Sequence, residues 1–118
     1  MTVRIVTDSA CDLPQTLADE LAIVIVPLSI RFGDDELIDR QDLTTDEFWA
    51  RSAASPVLPE TAAPPPGSFE QAYRGLIAEG ATGIVVINLS GGLSATIQSA
   101  ELAARAVAAD IDIAVVDS

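Results

Sequence analysis

Four short apolar runs, separated by stretches with helical spacing, constrain this chain more than any other feature. Val3-Arg4-Ile5-Val6-Thr7, Ile23-Val24-Ile25-Val26, Ile84-Val85-Val86-Ile87-Asn88-Leu89 and Ile111 to Asp117 each read as a strand. The second run is β-branched throughout, the pattern of a strand buried on both faces. Strands that alternate with helices give an α/β fold, a parallel sheet with helices on both faces. Right-handed crossovers then favour the order 2-1-3-4 for the four main strands. The topological switch falls between the first and third, and ligands of such sheets bind at the carboxyl ends of the strands there.

The segments between the runs carry their own signals. Asp12 can cap a helix to about Leu21, with Pro14 in its early turn. Leu28-Ser29-Ile30-Arg31-Phe32, then Gly33-Asp34-Asp35, then Glu36-Leu37-Ile38 reads as a small β-hairpin excursion. Thr44-Thr45-Asp46-Glu47 is a capping box. The helix it opens bears Phe48 and Trp49, which are assigned to the core with Phe69 and Tyr73. A proline-rich loop follows from about Ser52 to Pro66, long enough to wall or cover a site. Gly67-Ser68 leads a helix to about Glu79, with Gly80 at its C′ position. Ser94 caps the last helix, which runs to about Ala109. Its inner stripe is Ile97, Ala100, Ala104 and Val107, and Glu101 and Arg105 face each other on its outer side.

Composition narrows the chemistry. The 118 residues are one domain's worth of chain and contain no histidine and no lysine; all six basic residues are arginine. Ser-His-Asp and Cys-His triads, His-containing zinc motifs, Schiff-base chemistry and the P-loop lysine are thereby excluded. The net charge of −12 argues against nucleic acid and anionic membrane surfaces as partners. No 18-residue apolar window exists for a membrane span. The N-terminus lacks the shape of a secretory signal, and Cys11 is the only cysteine, so the expected compartment is the cytoplasm. Asp34-Asp35-Glu36 lacks the periodicity of a calcium loop, and no metal site is expected.

The polar groups gather at the switch. Thr7-Asp8-Ser9 leaves the first strand and Ser90-Gly91-Gly92-Leu93-Ser94-Ala95-Thr96 leaves the third. The second stretch has two readings. Its amides and the hydroxyls of Ser94 and Thr96 suit an anion, as in an α/β enzyme acting on a phosphorylated small molecule. Equally, it is an ordinary strand-to-helix turn with Ser94 as cap. Asp8 and Ser9 likewise read either as ligand neighbours or as turn chemistry. A serine-nucleophile elbow is not supported, because its last glycine and any histidine are missing.

Several motifs taken in order carry a family resemblance. They are Ile5 to Pro14 with its Thr-Asp-Ser and Asp-Leu-Pro, Val26-Pro27-Leu28, Phe32-Gly33-Asp34, Asp42-Leu43-Thr44, Pro59 to Gly67, Ser90 to Ala100, and Val115-Val116-Asp117-Ser118. Together they resemble the N-terminal part of DegV-family proteins, bacterial fatty-acid-binding proteins that serve fatty acid kinase. The resemblance implies a non-catalytic module that holds a long-chain fatty acid in an apolar tunnel and presents its carboxylate to the kinase. It implies no cofactor beyond the bound fatty acid. It also implies that Thr61 and Ser94 hold the carboxylate, with Ser90 and Thr96 close by and Asp8, Ser9 and Gly92 as site neighbours. Ala62, Gly91 and Ala95 depart from the family pattern and remove potential donors. The chain stops one residue after its last strand and family members are about twice as long. Residues 1–118 therefore read as the N-terminal α/β domain alone, with a second domain and its basic site residues absent. Such a half is expected to fold and to bind fatty acid weakly.

Overall fold

The four apolar runs form one parallel sheet. β1 (Val3–Asp8) lies between β2 (Val24–Val26) and β6 (Gly83–Asn88), and β7 (Asp112–Asp117) flanks β6. The order β2-β1-β6-β7 is the expected 2-1-3-4 of the main strands. The register sets Val6 beside Val24 and Val86, and Thr7 beside Ile25 and Ile87. The computed structural model describes residues 2–118.

α1 (Gln15–Glu20) joins β1 to β2, α3 (Pro66–Ala78) leads into β6, and α4 (Thr96–Ala106) joins β6 to β7. Chain direction across the sheet reverses at the switch, so right-handed crossovers put α1 on one face and α3 and α4 on the other. Strand alternation sorts the side chains accordingly. Val6, Ile84 and Val86 point under α3 and α4 and are sealed with Phe69, Tyr73 and Val107. Ile5, Ile87 and Val116 point the other way and stay exposed, because the short α1 packs on β2. β2 is an edge strand. Only Val26 is buried, while Val24 and Ile25 are half-buried, so the expected double-sided burial is not met.

A second, antiparallel sheet carries the hairpin excursion. β3 (Ser29–Phe32) pairs with β4 (Asp35–Ile38), and the turn is Gly33-Asp34. Gly33 has φ +62°, as the first residue of a two-residue hairpin turn requires. The other edge of β3 takes β5 (Glu60–Ala62), which lies inside the segment expected to be loop. α2 (Thr45–Ala54) extends two residues past the expected start of that loop at Ser52. Its capping box is complete: Glu47 N donates to Thr44 Oγ1 at 3.1 Å and Thr44 N donates to Glu47 Oε1 at 2.9 Å. The bonds from Thr44 hold the Glu47 carboxyl below the usual range. α2 buries no residue completely. Phe48 packs on Ile30, Phe32 and Leu43, and Arg51 lies 4.9 Å over the Phe32 ring. Trp49 is 64% exposed, not core as expected, because it sits one residue round the helix from Phe48.

Other local expectations shift. Asp12 does not cap α1; it follows a 3₁₀ turn at Ser9–Cys11 in the left-handed region, and Pro14 precedes the helix. α4 begins at Thr96, with Ala95 at the N-cap position, and ends at Ala106 rather than about Ala109. Ala103 rather than Ala104 joins Ala100 as a buried alanine of its inner stripe, and Ala104 is half-buried. Among the described residues Glu101 and Arg105 form no ion pair; Arg74 instead bridges Glu70 and Asp110.

Tyr73 ties the two large helices together, donating its buried hydroxyl to Ala100 O at 3.0 Å. Burial pushes its phenol above the ordinary value of 10. The fold therefore favours the protonated form. That stability is intact below the unfolded phenol's pKa and is lost as pH rises above about 10. Tyr73→Phe should cost about 1 kcal/mol at neutral pH in urea titrations and should flatten the alkaline loss relative to the parent chain.

Candidate functional site

The carboxyl ends of β1 and β6 are joined by polar bonds that the sequence motifs supply. Thr7 Oγ1 donates to Ile87 O at 2.7 Å. Asp8, 1% exposed, accepts from Leu89 N at 2.9 Å and Asn88 Nδ2 at 3.1 Å through one oxygen, and from Ala10 N at 3.0 Å through the other. Ser9 Oγ accepts from Leu28 N at 2.9 Å, tying the strand exit to the start of the second sheet. Thr7-Asp8-Ser9 is thus the fastening of the switch. Asp8 is occupied by two backbone amides and the Asn88 side chain.

The turn after β6 is closed on itself. Gly91 N donates to Asp117 Oδ1 at 2.9 Å, and Gly92 N to Ser90 Oγ at 3.1 Å. Leu93 N and Ser94 N both donate to Ser90 O. Thr96 N donates to Ser94 Oγ at 3.1 Å. An anion cradle needs free amides, and here five are occupied and one already holds a carboxylate. The geometry therefore disfavours the phosphate-binding reading. A Cβ at Gly91 would come within 3.1 Å of Ile97 Cγ2 and 3.3 Å of Asp117 Oδ2, so the departure from serine there goes with tight packing.

Two hydroxyls remain informative in this turn. Ser94 Oγ and Thr96 Oγ1 lie 2.8 Å apart. Thr96 is fully sealed, so its proton must go to a protein acceptor, and Ser94 Oγ is the one in reach. Ser94, half-buried, is left with its own proton directed elsewhere. Thr96 is consequently closed off from the surface, and its hydroxyl lies against that of Ser94.

The second sheet, α2 and the segment between β1 and α1 line an open, mainly apolar cavity of about 430 Å³. Leu13, Leu28, Ile30, Phe48 and Trp49 form its apolar wall, and Ser9 and Thr61 supply hydroxyls. β5 positions Thr61 opposite Ile30 in the β3 register, which turns it toward this side of the sheet. Among the described residues its hydroxyl bonds no protein group. Arg40, Asp12 and Asp39 complete the polar lining. Of the anticipated site residues, Ser9 and Thr61 therefore meet at the cavity. Ser90, Gly92, Ser94 and Thr96 stay together on the β6–α4 turn, linked to Ser9 through Asp8. Sequence reasoning missed Arg40 and the Asp117 lock. A proline-rich segment gave no signal that Thr61 sits on a strand.

A family model described as DegV, an uncharacterised protein family, matches residues 2–118. The fold superposes on a fatty-acid-binding DegV family protein from Thermus thermophilus with a TM-score of 0.86 and 35% identity. A stearic acid-binding protein from Eubacterium ventriosum gives 0.89 and 33%. The Streptococcus pneumoniae fatty acid kinase B3 protein, loaded with linoleic acid, gives 0.79 and 31%. Each match covers 99% of this chain and 41 to 42% of the other. The chain likewise spans 41% of the length of curated DegV domain-containing relatives.

Replacing Asp8 with Asn puts an amide NH₂ against the donors of one carboxylate oxygen, either Ala10 N or the pair Leu89 N and Asn88 Nδ2, and removes the charge from all three bonds. Asp8→Asn should cost about 3 kcal/mol in denaturant titrations, the range for bonds to a buried charged acceptor.

Proposed function

The chain belongs to the DegV family, and on that premise we propose that it is a non-catalytic lipid-binding module. It forms part of a protein that holds a long-chain fatty acid and presents the carboxylate to a fatty acid kinase. The observation that carries this reading is the apolar cavity between α2 and the second sheet, with the free Thr61 hydroxyl on its lining. Each buried CH₂ contributes about 0.8 kcal/mol, so the acyl chain supplies most of the affinity. A few convergent donors then fix the head group. In this reading Thr61 supplies a donor from the cavity lining and Ser94 one from the β6–α4 turn, Ser90 is a neighbour, and Thr96 acts through Ser94. Holding a ligand for another enzyme needs no cofactor and no catalytic base, which suits a chain without histidine or lysine. The kinase performs the phosphoryl transfer, and the cytoplasm is where such a pair would meet. No helix among the described residues is long and apolar enough to cross a membrane.

Denaturing mass spectrometry of an organic extract should find a long-chain fatty acid, and Trp49, the only tryptophan, gives a titration signal at the cavity. Thr61→Ala/Ser94→Ala should weaken lauric acid at least tenfold; unchanged affinity would sink the site assignment. Thr96→Val should match Ser94→Ala alone and add nothing to it, whereas Thr96→Ser should restore binding.

A further inference from the structure

Four of the six arginines pair with carboxylates: Arg4 with Glu79, Arg31 with Glu60, Arg51 with Asp35, and Arg74 with Glu70 and Asp110. Arg105 is exposed on α4. Arg40 is different. It is half-buried, lines the apolar cavity, and among the described residues has no carboxylate within ion-pair distance. The polar atom its guanidinium reaches is the Cys11 sulfur, at 3.9 Å.

Its backbone is also unusual, with φ +66°, a conformation that favours glycine. The surrounding turn holds it there. Arg40 N donates to Leu43 O, Gln41 N and Asp42 N donate to Ile38 O, and Ile38 N donates to Asp42 Oδ2. A strained position that glycine would relieve, occupied by an arginine without a partner, points to a task for the side chain.

We propose that Arg40 is the cationic anchor, supplied by this part of the protein, for the carboxylate of the cavity's ligand. The inference rests on the lipid reading above and adds a charge partner to the hydroxyl of Thr61 on the same lining. Asp12 and Asp39 lie on that lining too. Arg40 is therefore the one cation on this lining: with it a carboxylate has a partner, and without it the ligand meets only like charge. Arginine is suited to the role because its planar fork takes a carboxylate through two parallel bonds.

The test compares lauric acid with 1-dodecanol, which has the same apolar body and no charge, by Trp49 fluorescence on the whole chain. Arg40→Gln should weaken lauric acid at least tenfold and leave dodecanol within twofold. Arg40→Gly should weaken the acid equally while raising the melting temperature, because the left-handed strain is removed. Unchanged acid affinity in both variants, with Thr61→Ala/Ser94→Ala still weakening it, overturns the role of Arg40 and spares the lipid reading. Equal loss of acid and alcohol also overturns it, as loss of packing alone. Failure of the parent chain to bind either ligand overturns both.

Discussion

The buried carboxylate of Asp8 is the constraint on which the arrangement depends. A parallel sheet joins β1 and β6 by backbone bonds, but their exits diverge into different loops. Asp8 bonds across that divergence to Leu89 N and Asn88 Nδ2 and along it to Ala10 N. Low local dielectric strengthens each bond and makes any unpaired donor there costly. The hydroxyl of Ser9 then fixes Leu28 and the start of the second sheet. Three successive residues thus set the distance between the cavity under α2 and the turn that bears Ser94.

Much of this was legible in the sequence, because the signals were local. The β-branched runs, the Thr44–Glu47 box, Gly33 and Gly80 each act through their own backbone and appear where their residue types demand. What was not legible was non-local. β5 is Glu-Thr-Ala in a proline-rich stretch and is a strand only because β3 offers it an edge. Trp49 reads as core by hydrophobicity, yet α2 has one neighbour to pack on and Phe48 takes it. Arg40 reads as one surface charge among six, and only the folded turn reveals its backbone and its missing partner. For the site, Thr61 and Ser94 were expected from the family resemblance alone, and only the folded chain shows Thr61 on the cavity and Ser94 beside a sealed Thr96.

The turn after β6 shows how one sequence pattern supports two chemistries and the fold selects between them. Gly-rich strand-to-helix turns bind phosphate when their amides are free and converge on one point. Here Ser90 draws in the amides of residues 92, 93 and 94, and Asp117 takes that of Gly91. The turn itself is left with side-chain hydroxyls to offer an anion, which are weaker and neutral.

The net charge of −12 opposes an anionic ligand, and distance resolves the conflict. At physiological ionic strength exposed charges are screened beyond about 8 Å. Glu36, Glu60 and Glu79 belong to exposed ion pairs or open surface and contribute little inside the cavity. The field there is set by groups on its lining: Asp12, Asp39 and Arg40. Apolar walls raise the strength of those few charges, because less water lies between them and a ligand. An acidic protein can therefore hold a carboxylate where one arginine stands without a partner of its own.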